Sequence, residues 1–257
     1  MTPAMSPATA TRLEKVAVDN GFDRELPRDG SWLSFASTQA ALRLWLTAAD
    51  DLVYVAALSQ PHVAAGLEEF GDPIGPPLPD GAVAGRAVAG IPDLHRLVRR
   101  AFQLSRTLPD ALLRRFERQT ATLPRTTEAE RLVVQRVGQD LFREGLIDYW
   151  EGRCAITGLA VVELLRASHI KPWSECVRDA ERLDVFNGLL LAPTLDAVFD
   201  RGFMTVAADG EVIVSNRLSE AGRRVLGLDV PLRVRALVTG HQDYLRFHRE
   251  WVFKQAT

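Results

Sequence analysis

Residues 154–204 read CAITGLAVVELLRASHIKPWSECVRDAERLDVFNGLLLAPTLDAVFDRGFM. Leu164 to Ile170 has the composition of a strand and ends in Ser168-His169-Ile170. After a loop, Asn187-Gly188 opens a second apolar strand, Leu189-Leu190-Leu191, and Pro193-Thr194 starts a helix. Asp196 and Asp200 stand four residues apart on that helix and so share one face. Strand, strand and helix, with an imidazole on the first strand and two acids on the helix, form a workable hydrolytic metal site. A neutral imidazole takes a proton from water near neutral pH. Paired carboxylates are hard oxygen donors that suit Mg²⁺ or Mn²⁺. Such a cation stabilises charge on a phosphate and on a leaving oxygen.

Working outward, Thr127 and Glu130 have the spacing of a capping box that opens a long helix, 128–149. Segment 121–127 (ATLPRTT) reads as a linker, which divides the chain into residues 1–120 and 121–257. Toward the C-terminus the pattern predicts a hairpin at 203–215 turning at Asp209-Gly210, then helices near 218–226 and 241–253. His241 and His248 on the last helix have no acid at ligand spacing and read as structural. In the N-terminal half the first dozen residues read as a frayed Ala/Thr/Pro/Ser segment. Residues 31–58 read as short strands, 61–70 as a short helix with Pro61 in its first position, and 71–92, with its prolines and glycines, as loop. Leu94, Leu97, Val98, Ala101 and Leu104 recur at helical spacing and predict an amphipathic helix over 93–106, followed by another at 109–119. The fold class is therefore α+β, a mixed N-terminal domain followed by a strand–strand–helix module.

The chain has 257 residues and a formal charge of -2, with 47% hydrophobic and 25% charged residues, ordinary for a globular protein. Two cysteines, Cys154 and Cys176, exclude a disulfide scaffold and a four-cysteine zinc site, and fit a reducing, cytoplasmic setting. No apolar run approaches membrane-spanning length, so no membrane partner is expected. The average charge hides a gradient. Residues 1–85 carry five basic and eleven acidic side chains, while residues 86–120 carry eight arginines and three acids. Arginine, unlike lysine, makes bidentate contacts to phosphate and guanine edges, so the excess points to a polyanionic partner.

The string C-x-x-T-G, S-H-I-x-P-W and N-G-L-L-L-x-x-x-x-D-x-x-x-D-x-G resembles the HNH endonucleases, which have the ββα-metal nuclease fold. The resemblance implies that His169 is the general base and that Asn187 braces the loop and orients it. It places Asp196, where the family's last histidine stands, and Asp200 one turn on as metal ligands, with Ser168 as a weaker one. Asp in place of that histidine points to Mg²⁺ or Mn²⁺. Thr157 stands where many members have the second cysteine of a pair, so no structural zinc is expected. Cys154 is then a buried core thiol, and Trp173 a packing residue. The implied substrate is double-stranded DNA, and a two-strand cut with one site per chain favours a homodimer.

Residues 17–118 resemble the sulfur-binding domains that recognise phosphorothioate DNA, through N-G-F-D (20–23), W-L-S-F (32–35), A-L-S-Q-P-H-V-A (57–64) and L-H-R-L-V-R-R-A-F-Q-L-S-R-T-L-P (94–109). The resemblance implies a small apolar sulfur pocket at Pro61 and Ala64, with Gln60 where the family often has an aromatic. Sulfur is larger, more polarizable and more weakly hydrated than oxygen, so carbon-lined walls favour it. Arg86, in a Gly-flanked loop, is the leading base-reading residue, with Arg99, Arg100 and Arg106 behind it. Together the two halves imply a restriction-type endonuclease with a defence role, directed at phosphorothioate DNA. Recognition of methylated or unmodified DNA, an inert DNA-binding protein, and an acidic protein partner for the Arg-rich helix are the alternatives.

Overall fold

The computed structural model describes residues 5–50, 52–107, 111–124 and 126–255. Outside them lie the first four residues of the predicted frayed start, residues 109 and 110 of the predicted 109–119 helix, and Arg125 of the predicted linker. Two compact units divide the chain, Met1–Pro109 and Asp110–Thr257. No helix among the described residues is long and apolar enough to cross a membrane.

The first unit opens with α1 (Pro7–Asp19), where the sequence predicts fraying. Ser6 caps this helix by accepting the Thr9 N–H, Pro7 occupies the start of its first turn, and Leu13, Val16 and Ala17 are buried. Four antiparallel strands follow: β1 (Arg24–Asp29), β2 (Trp32–Ala36), β3 (Leu44–Ala48) and β4 (Val53–Leu58). The short helix α2 (Pro61–Ala65) stops well before residue 70. Residues 71–92 are not plain loop, because β5 (Asp72–Ile74) and β6 (Ala84–Ala89) complete a six-stranded sheet in the order β1-β2-β3-β4-β6-β5. Proline marks β5 as an edge strand, where Pro73 leaves no central ladder position without a donor. Gly85 matters here: a Cβ on it would come within 2.6 Å of the Ile74 side chain, so only glycine lets β5 close on β6. Helix α3 (Ile91–Thr107) buries Leu94, Leu97, Val98, Ala101 and Leu104, the stripe that the sequence predicts, against α1 and the sheet.

The second unit begins with α4 (Ala111–Thr120), so the boundary falls before this helix and not at 120/121. Close packing on α5 (Glu128–Tyr149) is the reason. Leu112 fills the space over Gly145, and Phe116 lies against Gly138. The capping box of α5 forms as its sequence predicts, with Thr127 accepting the Glu130 N–H and the Glu130 carboxylate accepting the Thr127 N–H. After it come β7 (Arg166–His169), the single turn α6 (Asp179–Arg182), β8 (Gly188–Leu191), α7 (Pro193–Asp200) and the hairpin β9 (Met204–Val206) and β10 (Val212–Val214). The chain then forms α8 (Glu220–Val225) and α9 (Gln242–Phe247), which runs into a π-helical turn, His248–Val252. Leu141, Phe142 and Leu146 of α5, Leu189 to Leu191 of β8, and Leu195, Val198 and Phe199 of α7 form its core.

The terminal segment is fastened to the end of α7. Gly202 has φ +70, and a Cβ there would overlap the Val252 carbonyl oxygen, while the Lys254 N–H donates to the Gly202 carbonyl at 2.8 Å. Gly202→Ala is therefore expected to cost at least about 1–2 kcal/mol for the left-handed backbone alone. The melting transition of the C-terminal unit should fall accordingly; an unchanged transition would contradict this docking.

Two structural histidines add a pH dependence. His248 stacks on Phe199 at 4.0 Å and bonds to Thr205 Oγ1 at 2.9 Å, and His241 sits among Tyr149, Trp150 and Phe186. Burial lowers both imidazoles from the ordinary 6.5 to about 4. The unfolded chain thus takes up protons from about 6.5 downward, and the folded chain only near about 4. Stability should drop as pH falls through that window and stay level above it, as thermal unfolding from pH 8 to pH 4.5 would register.

Candidate active site

The centre of the C-terminal unit is a β7–β8 antiparallel pair with α7 packed on β7. Ser168 pairs with Leu189 and His169 with Gly188. Successive strand residues point to opposite faces, and these two do. The buried Ser168 hydroxyl donates to Asp196 Oδ1 on α7, whereas His169 turns toward α5 and stacks on Phe142 with ring centroids 3.7 Å apart. Trp173 meets the imidazole edge-on at 5.4 Å.

One hydrogen bond sets the chemistry of His169. Its Nε2 lies 2.9 Å from the Arg182 carbonyl oxygen. A carbonyl only accepts, so Nε2 carries the proton and donates, and in the neutral ring Nδ1 carries the lone pair. Burial, and then the Arg182 cation, lower the imidazole pKa to about 4, so the ring is neutral at neutral pH. The arrangement offers an unprotonated Nδ1 on a ring that cannot rotate freely.

Asn187 holds the loop that supplies this carbonyl. Fully buried, it accepts the Lys171 N–H through Oδ1 at 2.7 Å, and its amide donates to the carbonyls of Glu181 at 3.0 Å and Lys171 at 3.2 Å. The Ile170 N–H donates to the Asn187 backbone carbonyl at 2.9 Å. Arg182 ties the same loop from within: it pairs with Asp179 at 2.9 Å, donates to the Cys176 carbonyl, and lies over the Trp173 ring. Glu181 accepts the Val177 N–H at 2.8 Å and faces Lys171 at 3.4 Å. Neither Arg182 nor Phe142 carries a sequence signal for its part in this site. Both depend on contacts across the fold that no local spacing records.

Asp196 and Asp200 lie one turn apart on α7. Partial burial, reinforced by the Asp196 charge and opposed by Arg201, raises Asp200 from 3.8 to about 6. Two carboxylates that repel each other beside a serine hydroxyl make an all-oxygen donor set, which fits Mg²⁺ or Mn²⁺ better than zinc. Among the described residues, no three His, Cys, Asp or Glu side chains cluster as metal ligands. His169 therefore does not join the two acids as a third ligand. Ser168, Asp196 and Asp200 are the oxygen-bearing side chains that could hold such a cation, with water completing its shell.

The cysteines serve structure. Cys154 Sγ accepts the N–H groups of Thr157 at 3.4 Å and Ala192 at 3.3 Å, joining the C-x-x-T-G turn to the start of α7. Burial pushes the Cys176 thiol up, which keeps it protonated and a poor nucleophile.

In the N-terminal unit Pro61 is exposed at the start of α2, and Ala64 is buried one turn on. Gln60 Oε1 accepts from the Ser105 hydroxyl of α3 at 3.2 Å. Arg86 is a correction: it lies in strand β6 and not in a loop, and its guanidinium donates to the Gly71 carbonyl at 3.2 Å. Arg99 donates to Asn20 at 3.2 Å, Arg106 packs over Phe102 at 5.7 Å, and Arg100 is half-buried on α3. A cavity of about 380 Å³ at the sheet edge is lined by Glu69, Asp72, Asp93 and Arg96 among others, but by none of Pro61, Ala64 and Arg86.

Residues 154–207 match the model of the HNH endonuclease family, which points to nuclease activity on nucleic acid. The matched segment includes Ser168, His169, Asn187, Asp196 and Asp200 and stops short of residues 17–118. No curated protein matches the chain.

Replacing Asn187 with Ala tests the brace. The Lys171 N–H and the Glu181 carbonyl lose their partner, and the Lys171 carbonyl keeps only the Cys176 thiol at 3.6 Å, at about 1–3 kcal/mol for the unsatisfied groups. Amide exchange should accelerate at Lys171, while Ile170, which bonds to the backbone of residue 187, keeps its protection. Equal acceleration at both would mean general unfolding of the module.

Proposed function

We propose that the chain is a divalent-cation-dependent endonuclease that hydrolyses phosphodiester bonds of DNA, aimed by its N-terminal unit. The observation that carries this reading is the Nε2–H donation from His169 to the Arg182 carbonyl, one residue from the Ser168–Asp196 contact. The donation leaves Nδ1 to accept a proton from water, and stacking on Phe142 keeps the ring aimed. Asn187 acts through the loop, fixing the carbonyl that fixes the imidazole. Ser168, Asp196 and Asp200 would hold Mg²⁺ or Mn²⁺. When bound, the cation supplies positive charge against the phosphate and the departing oxygen. Asp200, raised to about 6, would lose its proton on binding it.

For the N-terminal unit the proposed target is phosphorothioate DNA, with Pro61 presented at the surface and the Ala64 methyl beneath it. Arg99, Arg100 and Arg106 of α3 are the proposed phosphate contacts. Arg86 favours a second reading, recognition of methylated or unmodified DNA, because its guanidinium is bound to its own backbone. The proposed biological role is restriction of modified DNA, by a homodimer where both strands are cut.

The test is cleavage of matched plasmids, with and without phosphorothioates, in the presence of Mg²⁺, Mn²⁺ or a chelator. Cleavage is expected to need the cation and to fall about 10²-fold or more in His169→Ala. Equal rates on the two plasmids would remove the sulfur specificity and keep the nuclease. Cleavage unaffected by His169→Ala would remove the assigned site.

A further inference from the structure

The last helix places a large aromatic side chain in solvent. Leu245 and His248 face inward on α9 and the π-helical turn, and His248 is held by Phe199 and Thr205. Trp251, on the other side, is 75% exposed. Phe247, four residues earlier, is half-buried, with its ring centroid 6.5 Å from that of Trp251 and the planes tilted by 36°. A π-helical turn is rare and is frequently found at functional sites.

Two contacts tie this end of the chain to segments that flank the candidate site. Lys171, two residues past His169, places its Nζ 5.4 Å from the Phe247 centroid. Lys254, three residues past Trp251, bonds to the Gly202 carbonyl, two residues past Asp200, and its Nζ lies 4.7 Å over Phe203. Residues 246–254 carry three basic side chains, Arg246, Arg249 and Lys254, and one acid, Glu250. Arg246 pairs with Asp243, and Arg249 anchors the turn through the Val206 carbonyl at 2.7 Å.

An exposed indole offers a flat aromatic face, and the exposed Lys254 three residues on favours an anionic ligand. A nucleic-acid strand meets both conditions, since a base stacks on the aromatic face while a phosphate meets the lysine. A base inside an intact duplex has no free face, so the ligand is an unpaired one. We propose that Trp251, backed by Phe247, is a stacking site for an unpaired base of the strand held at the candidate site, with the exposed Lys254 at a flanking phosphate. The site rests on the endonuclease reading and adds a preference to it, for DNA that is gapped or opened near the cut.

Affinity separates the two ideas. Full-length His169→Ala protein, which keeps the nucleic acid uncut, is titrated with a labelled duplex containing a short single-stranded gap and with the same duplex fully paired. Binding is read by anisotropy. The parent should prefer the gapped duplex. Adding Trp251→Ala should weaken gapped binding about tenfold and abolish the preference, while Trp251→Phe should keep most of it. Because Trp251 is exposed, both variants should melt with the parent. Unchanged affinity in Trp251→Ala, with a parent that binds well, overturns the stacking site and leaves the nuclease reading intact. A parent that binds neither duplex overturns both.

Discussion

A buried carboxamide organises the centre of the C-terminal unit. Asn187 uses one acceptor and two donor bonds to close the chain from Lys171 to Glu181 back onto β7 and β8. Closure places the Arg182 carbonyl against Nε2 of His169, and that contact determines which ring nitrogen is left to accept a proton. None of the three bonds has water as an easy replacement, because the side chain is fully buried. The loop has little regular structure of its own, only single helical turns. Its geometry therefore depends on side-chain bonds, from Asn187 at one end and from Arg182 and Glu181 within.

The proposed base and the proposed cation ligands occupy neighbouring residues with opposite surroundings. His169 is enclosed by Phe142 and Trp173, and its enclosure favours the neutral ring. Ser168 faces the acids of α7, where burial, and then the Asp196 charge, raise Asp200 to about 6. Strand alternation produces this division without further machinery. A single register shift between β7 and β8 would exchange the two faces; the uniform Leu189 to Leu191 run does not oppose it, whereas the Ser168–Asp196 and Ile170–Asn187 bonds do.

The proposed site residues stand out in the sequence because their types and spacings are chemical: a histidine at a strand end, an Asn-Gly before an apolar run, and two acids one helical turn apart. The helices of the C-terminal unit were legible from periodicity and from the Thr127–Glu130 capping pair. Where composition stood in for pairing, the reading failed. Prolines and glycines made 71–92 look like loop, yet the prolines cluster around an edge strand and Gly85 is what allows its pairing. The Ala- and Thr-rich start looked frayed, yet Ser6, Pro7 and three apolar residues on one face are enough for α1. Arg182 and Phe142 were invisible for a different reason. Each acts on a residue distant in sequence, and nothing local distinguishes them from a surface cation and a core aromatic.

The arginine excess in 86–120 shows the same difference between counting and geometry. Arg86 is bound to the Gly71 carbonyl and Arg115 to Glu144 at 2.6 Å. The excess is also divided between two units, since α4 belongs with the second. Each arginine that serves structure is subtracted from the field available to a polyanion, so net charge overstates the recognition surface. Conversely, the terminal segment has only a modest cationic excess, but it carries an exposed indole, and Lys254, three residues on, is tied by its backbone to Gly202, just past α7. Position relative to the reacting centre, and not abundance, gives a charged group its part in holding nucleic acid.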